Sequence, residues 1–151
     1  MGPAEQSLRQ LAIRFSHRYV THRGNTAAPC VIVGEAPGAD EEREGIPFVG
    51  ASGSLLMKMA GEAGFSIHDY WVTNVYKCRP PDNDLNRLKE LQIPNEAFID
   101  QFIEELYAFK PSIIIACGAT PLGVLCPETI DRKTGTASIS KWRGSLLSSP
   151  K

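Results

Sequence analysis

The residues most able to do chemistry follow one short apolar run. Cys30 to Glu35 is rich in β-branched residues and leads into GEAPG at positions 34–38. PFVG follows at positions 47–50 and brings one aromatic side chain, Phe48, close behind that turn. Ligands of open α/β sheets bind outside the carboxyl ends of the strands, so this pattern predicts a binding site at the end of the first strand.

Alternating strands and helices must position these residues. Nearly continuous apolar runs predict strands over Cys30 to Glu35, Trp71 to Val75 and Ser112 to Cys117. Apolar residues at helical spacing predict helices over Gln6 to Tyr19, Ser52 to Ala63, Asn95 to Phe109 and a short stretch after residue 117, the first of them on the outside of the sheet. The sequence therefore predicts an α/β fold, a three-layer α/β/α sandwich around a short, mainly parallel sheet.

Two polar segments are predicted to be loops. KCRPPDND at positions 77–84 contains two prolines and several turn-forming Asp and Asn residues after a predicted strand. DEERE at positions 40–44 is an acidic run of the kind that usually forms a solvated loop. Both segments lie next to the ends of predicted strands.

Composition and charge set broad limits. The 151 residues with 42% hydrophobic content suffice for one domain, predicted over residues 1–151. A net charge of -1 gives no overall attraction to nucleic acid. Residues 1–30 are nevertheless basic, which fits either a nucleic-acid contact or a solvated helix face; their charged residues are Arg9, Arg14, Arg18 and Arg23 against Glu5.

The apolar runs and the cysteines indicate the cellular compartment of the protein. Its first residues do not form a signal peptide, and no apolar run approaches the ~18 residues of a membrane span, so we expect a cytoplasmic or nucleoid-associated protein. The cysteines show no CxxC pairing and lie in or beside apolar runs, which favours reduced, buried thiols over disulfides or zinc. They are Cys30, Cys78, Cys117 and Cys126.

Several motifs together resemble the family 4 uracil-DNA glycosylases, over about Ala28 to Gly144. They are GEAPG (34–38), EE (41 and 42), GIPFVG (45–50), SG (52 and 53), TNVYKCRPPDN (73–83), KPSIIIACGATP (110–121) and WRG (142–144). The resemblance implies base-excision repair: hydrolysis of the N-glycosidic bond of deoxyuridine in DNA, which leaves an abasic site. We predict that this reaction uses no metal or organic cofactor. The implied partner is uracil-containing DNA, with no membrane association.

The resemblance also implies roles for individual residues. A glycosylase takes its base out of the helical stack, so it needs an aromatic platform and a hydrogen-bonding reader. Phe48 is implied to stack on uracil, and Asn74, whose amide both donates and accepts, to pair with uracil O4 and N3–H. Glu35 is implied to organise the pocket or the attacking water. From the residues alone, Phe48 could instead be a core aromatic or loop anchor, and Asn74 a turn residue.

Other positions are implied to support the reaction. Glu41 falls on a supporting polar position and joins Glu35 and Asn74 in the predicted catalytic set. The predicted uracil contacts also include Gly34, Ala36, Pro37, Gly38 and Asn83. The predicted contacts to the DNA backbone are Lys77, Arg79 and Ser52.

The chain departs from the family pattern at its carboxyl end. Family members carry an HPS-type motif whose histidine stabilises developing charge on uracil O2, whereas the only histidines here are His17, His22 and His68. Loss of one such donor costs about 10² to 10³ in rate. We therefore expect the chain, which ends at Lys151, to be truncated, with a missing carboxyl-terminal segment or a fused phage-type polymerase domain.

The cysteines depart from the family pattern as well. Family 4 enzymes hold a [4Fe–4S] cluster with four cysteines, two of them in an amino-terminal CxxC. Only Cys78 falls at such a position, and Phe98 lies near the downstream one. One thiolate cannot anchor a cluster, so we predict that the cluster is absent and that Phe98 fills the space by ordinary packing.

Three alternatives remain open beside this interpretation. A nucleotide-binding domain would also place glycines after the first strand, but GEAPG is neither G-x-G-x-x-G nor a P-loop. A catalytically inactive DNA-binding or protein-interaction module would use the same scaffold without base release. A glycosylase that links covalently to its product site resembles a subfamily with glutamine at the position of Glu35 and a basic insertion, both of which differ here.

Overall fold

A four-stranded mixed sheet forms the centre of the computed structural model, which describes residues 1–148, so the last three residues of the predicted domain lie outside it. The strands are β1 (Arg23–Gly24), β2 (Cys30–Gly34), β3 (Tyr70–Asn74) and β4 (Ile113–Ala116), in the spatial order β1-β3-β2-β4. β2 pairs in parallel with both β3 and β4, whereas β1 pairs antiparallel with β3. The three predicted strands are confirmed to within one residue at each end.

Helices connect and cover these strands. The α-helices are α1 (Pro3–Arg14), α2 (Ala39–Glu44), α3 (Ala51–Glu62), α4 (Asn95–Phe109), α5 (Ala119–Leu125) and α6 (Ile139–Trp142). Short 3₁₀ helices span Pro81–Asn83, Leu85–Leu91 and Pro127–Thr129. No helix within residues 1–148 is both long and apolar enough to cross a lipid bilayer.

The two faces of the sheet are covered by different helices. On one face, Val31, Val33 and Trp71 pack against Phe102 of α4 and against α5. On the other face, Ile32 and its neighbours on β2 and β3 pack against α3. Side chains alternate between the faces of a strand, so β2 is buried along its whole length and reads as a continuous apolar run. The predicted three-layer α/β/α sandwich is confirmed.

Helix α1 contacts α4 rather than the sheet, contrary to the predicted packing. Leu8 and Ala12 pack in a cluster with Phe98 of α4 and the segment that follows β3. The carboxylate of Glu104 accepts hydrogen bonds from the first backbone N–H groups of α1, which have no partner inside a helix. α1 ends five residues before the predicted end because Ser16 adopts a left-handed φ of 59°.

The acidic run at residues 40–44 is helical, so the prediction of a loop is wrong. The Glu41 carboxylate accepts the Gly38 N–H at 2.9 Å, which caps the start of α2. Acidic side chains in a first turn also interact favourably with the helix dipole. Gly45 then ends α2 with a φ of 74°, a conformation that suits glycine. Local capping explains a helix that the charge pattern alone does not reveal.

Strand β4 lies at one edge of the sheet and is less buried than its apolar sequence predicts. Ile113 and Ile115 are 56% and 44% exposed, although both belong to the continuous SIIIAC run. β4 pairs with β2 on one side only, because it is the last strand in the order of the sheet. Its edge position therefore leaves β4 partly exposed.

A buried ion pair joins the segment after β3 to α4. Lys77 is fully buried, and its Nζ lies 2.6 Å from Oε2 of Glu105 and also donates to the Thr73 hydroxyl. His22 Nδ1 lies 2.9 Å from the other Glu105 oxygen. Burial by itself disfavours the charged carboxylate, but attraction to Lys77 and the hydrogen bonds from these three side chains hold the pKa of Glu105 below its ordinary value. The predicted contact of Lys77 with DNA phosphates is wrong, because its ammonium group does not reach the surface.

Replacing Lys77 tests this structural role. Lys77→Met leaves Glu105 as a buried charge without its cation, so we expect the free energy of unfolding in urea to fall by about 3–5 kcal/mol. Lys58→Met is the matched control, since the Lys58 side chain is 73% exposed and should change stability little. A Lys77→Met variant as stable as the control, with weakened DNA binding, would contradict the assignment.

Candidate active site

The carboxyl ends of three parallel strands meet at one cleft. Gly34 pairs with Asn74 in the β2–β3 ladder, and Val33 pairs with Ala116 in the β2–β4 ladder. The cleft has a volume of about 690 Å³, in the range of sites that bind small molecules. Its walls include Glu35, Gly38, Glu41, Phe48, Ser52, Asn74, Asn83 and Cys117. The fold thus brings the two predicted motif glutamates, the aromatic residue and the asparagine together.

Asn74 presents an unused amide group to this cleft. Its side chain belongs to a residue that is only 5% exposed, at the last position of β3. Within residues 1–148, no group makes a hydrogen bond to that amide. Buried amides are ordinarily satisfied by the protein or by water. The Asn74 amide is therefore available to a ligand with both a donor and an acceptor.

The side chains of Phe48 and Asn74 both approach Gly34 closely. A Cβ built on Gly34 would lie 2.7 Å from Cζ of Phe48 and would also collide with Oδ1 of Asn74. Both side chains thus converge on the bare backbone at the end of β2. Phe48 has a φ of 57°, which is uncommon for a large side chain, and it is half-buried against the core on the α3 face. It acts as a loop anchor and also forms part of the cleft wall.

Glu41 fastens the two loops around the cleft to each other. One carboxylate oxygen accepts the N–H groups of Val49 and Gly50 at 3.0 and 2.7 Å, and the other accepts that of Gly38. These bonds use three of the roughly four acceptor positions of a carboxylate. The geometry supports a role in holding the Phe48 loop against the GEAPG turn, rather than the catalytic role predicted for Glu41.

Glu35 is held differently from Glu41. Its Oε2 accepts a 2.5 Å hydrogen bond from the hydroxyl of Thr120, in the first turn of α5. Gly118 makes this contact possible, because the chain turns from β4 into α5 with a φ of 118° that a side chain would disfavour. Within the described residues, no other hydrogen bond to the Glu35 carboxylate is present. One of its oxygens therefore remains open to a ligand or to water.

The remaining predicted contacts lie around this centre. Ser52 is exposed at the start of α3, on the rim of the cleft. Pro37 faces a smaller neighbouring cleft of about 140 Å³, which Ala36 and Asn83 also line. The Asn83 side chain accepts a hydrogen bond from Arg79 Nε at 2.8 Å, and Arg79 also forms an ion pair with an acidic residue of α2. Arg79 is thus at the rim, but it already has two partners.

Sequence reasoning missed two residues that belong to the site. Thr120 and Cys117 come from the β4–α5 connection, which was part of the recognised motif but carried no predicted role. Cys117 ends a predicted strand and Thr120 follows it closely; these positions could have indicated both residues, because parallel strands end at the same edge of a sheet. The residue type alone does not identify Thr120 as part of the site, since a threonine in a GATP sequence is equally consistent with a simple helix start.

None of the histidines in the described part of the chain lines the cleft. His17 contacts the carbonyl of Leu91, and His22 contacts Glu105 on the opposite face of the sheet. His68 lies exposed in the turn before β3. The residues that surround the cleft therefore offer amide, hydroxyl and carboxylate groups, but no imidazole.

The four cysteines are distributed over three hydrophobic clusters. Cys78 lies in the cluster of Leu8 and Phe98, where burial raises the pKa of its thiol to about 12. Of the other three cysteines, Cys30 and Cys117 share the cluster on the α3 side of the sheet, and Cys126 lies in the cluster on the opposite side. Within residues 1–148, no group of three or more His, Cys, Asp or Glu residues could hold a metal ion. Phe98 is fully buried and contributes packing to the region where Cys78 lies.

Comparison with known proteins places this cleft in a defined class. The model of the uracil DNA glycosylase superfamily matches residues 21–150, which is most of the chain. The chain belongs to this superfamily. That match covers every strand of the sheet and every residue that we have placed around the cleft.

Its curated relatives are type-4 uracil-DNA glycosylases, which confirms the resemblance to family 4. The chain is 43% identical to the enzyme of Archaeoglobus fulgidus; the matched region covers 66% of this chain and 48% of that enzyme. It is 41% identical to the enzyme of Pyrobaculum aerophilum; the matched region covers 68% of this chain and 52% of that enzyme. For Thermotoga maritima the identity is 36%, over 85% and 62%. The chain thus spans roughly half of each relative's length.

The close approach at Gly34 yields a test of the site geometry. Gly34→Ala should push Phe48 or Asn74 aside and lower the free energy of unfolding by about 1–3 kcal/mol, the usual cost of overpacking. Urea titration measures the change in stability, and the NMR signals of the Asn74 side-chain amide report its displacement.

A second glycine serves as the control. Gly61 lies inside α3 with nothing within 4 Å of a built Cβ, so Gly61→Ala should stabilise the protein by about 0.5–1 kcal/mol. If Gly34→Ala matched the wild type in stability and left the Asn74 amide signals unchanged, the convergence of the two side chains over Gly34 would be disproved.

Proposed function

We propose that this chain binds uracil in DNA and hydrolyses its N-glycosidic bond, as the names of its type-4 relatives suggest. The observation that carries the proposal is the nearly buried amide of Asn74, which has no hydrogen-bond partner within residues 1–148 and converges with the Phe48 side chain on Gly34. Such a pair suits a planar base with a donor and an acceptor on one edge. With its amide nitrogen toward O4 and its oxygen toward N3–H, Asn74 would favour uracil over cytosine, whose amino group replaces the O4 acceptor.

The proposed reaction uses the remaining polar groups as follows. Phe48 stacks on the extruded uracil, a contact worth roughly 1–3 kcal/mol. The open oxygen of Glu35 orients a water molecule, whose oxygen bonds to C1′ of the sugar while the carboxylate accepts a proton. The N1–C1′ bond breaks, and its electron pair leaves with the uracil anion. Residues of the GEAPG turn line the cleft, so their backbone would border the bound base.

Contacts to the DNA backbone are more limited than the sequence suggests. Lys77 is excluded by its burial, which leaves Ser52 and Arg79 of the predicted set at the rim. Arg79 would have to exchange its ion pair with Glu42 for a phosphate. Because phosphate contacts supply most non-specific affinity and set its salt dependence, we propose that binding of this chain to DNA is weak and changes little with salt. A place beside the DNA of a prokaryotic or phage genome follows from the proposed substrate.

Base release tests the proposal directly. The chain is incubated with a labelled oligonucleotide that contains one uracil, and abasic sites are cleaved with alkali. We expect release by the wild type, slowed because no histidine in the described chain lines the cleft. Phe48→Ala and Asn74→Ala should each lower the rate by about tenfold or more, and Glu35→Ala should lower it further.

Two exposed residues outside the cleft provide matched controls. Phe65→Ala and Asn95→Ala remove the same kinds of side chain from the surface and should retain the wild-type rate. A folded wild-type chain that binds the oligonucleotide without releasing uracil would instead support a non-catalytic module on the same scaffold. Equal rates for Asn74→Ala and Asn95→Ala would reject the proposed reader.

We also propose that the protein works without an iron–sulfur cluster. The separation of its cysteines and the protonated thiol expected for Cys78 support this proposal. Protein purified without oxygen and incubated with iron and sulfide should show no visible absorption band of a cluster after desalting. A band that appears in the wild type and is lost in Cys78→Ala would contradict it, with Cys30→Ala as the control.

A further inference from the structure

The hydrogen bond between Thr120 and Glu35 links two segments that lie 85 residues apart. Its 2.5 Å length is that of a short hydrogen bond to a charged carboxylate. Both residues are half-buried, Glu35 lines the cleft, and Thr120 lies in the first turn of α5, just after β4. Thr120, which follows β4, thus donates to the carboxylate of Glu35, which follows β2.

We propose that Thr120 is a positioning residue for the hydrolysis, an inference that rests on the proposed function. The Thr120 hydroxyl occupies Oε2 of Glu35 and limits rotation of the carboxylate. Oε1 then faces the attacking water in one orientation. A carboxylate without this bond would sample several rotamers, and misplacement of a reacting group by about 1 Å can cost 10²-fold in rate.

The contrast with Glu41 shows why this single bond matters. Glu41 is fixed by three backbone N–H groups, which no side-chain substitution elsewhere removes. Glu35 depends on one side chain, at least within the described part of the protein. Substitution at residue 120 can therefore alter the orientation of Glu35 while leaving the backbone of the site intact.

Two substitutions separate the hydroxyl from the volume of the side chain. Thr120→Val keeps the shape and removes the hydroxyl, whereas Thr120→Ser keeps the hydroxyl and removes a methyl group. Thr129→Val is a matched control, because the Thr129 hydroxyl bonds to the carbonyl of Cys126 beyond the far end of α5. All three variants are compared with the wild type in urea unfolding, so that loss of the fold is recognised.

Kinetics provide the first measurement. Under single-turnover conditions on the uracil oligonucleotide, Thr120→Val should lower the maximal rate by about tenfold without changing the half-saturating protein concentration. Thr120→Ser should restore the wild-type rate, and Thr129→Val should retain it. Equal maximal rates for Thr120→Val and the wild type would overturn the proposal, as would a loss in Thr120→Ser equal to that in Thr120→Val.

A spectroscopic measurement keeps the test independent of activity. The ¹³C NMR resonance of the Glu35 carboxylate, assigned with Glu35→Gln, should move in Thr120→Val and stay in place in Thr120→Ser. An unchanged resonance in Thr120→Val would overturn the positioning role. If the resonance moves but the wild type releases no uracil, the proposed function fails, while the control of Glu35 by Thr120 is upheld.

Discussion

The register of β2 with its two parallel neighbours is the constraint on which the site depends. Gly34 stands beside Asn74, and Val33 stands beside Ala116, so three strands end together. A shift of one residue would turn the Asn74 side chain to the opposite face of the sheet. Burial of β2 on both faces prevents such a shift, because it would exchange every side chain between the α3 and α4 layers.

The two glutamates of the cleft have different hydrogen-bond partners. The Glu41 carboxylate accepts hydrogen bonds from backbone N–H groups and so joins the GEAPG turn to the loop of Phe48. Glu35 keeps an oxygen open and is oriented by Thr120. Their side chains are chemically identical, so only the surrounding donors make them differ: backbone N–H groups engage both oxygens of Glu41, whereas Thr120 engages one oxygen of Glu35. The same distinction separates Asn74, whose amide is open, from Asn83, whose oxygen accepts from Arg79.

Much of this arrangement could be predicted from the sequence, because apolar periodicity and turn residues are local signals. The strands, α3 and α4 follow from them, as does the placement of Phe48 and Asn74 at one edge. Lys77 could not be assigned correctly, because its partner Glu105 lies 28 residues away on α4. The exposure of β4 likewise depends on its place in the sheet, which the run of isoleucines does not encode.

The distribution of the cysteines has a consequence for the dynamics of the protein. Each of the three hydrophobic clusters contains a thiol: Cys126 between the sheet and α4, Cys78 between α1 and α4, and Cys30 on the α3 side. Burial raises the pKa of each of these thiols, which suppresses the reactive thiolate in the folded state. Alkylating reagents therefore reach them chiefly when their cluster opens. The three clusters thus each contain a reporter thiol, and the separate rates of modification reveal whether the clusters open together or one at a time.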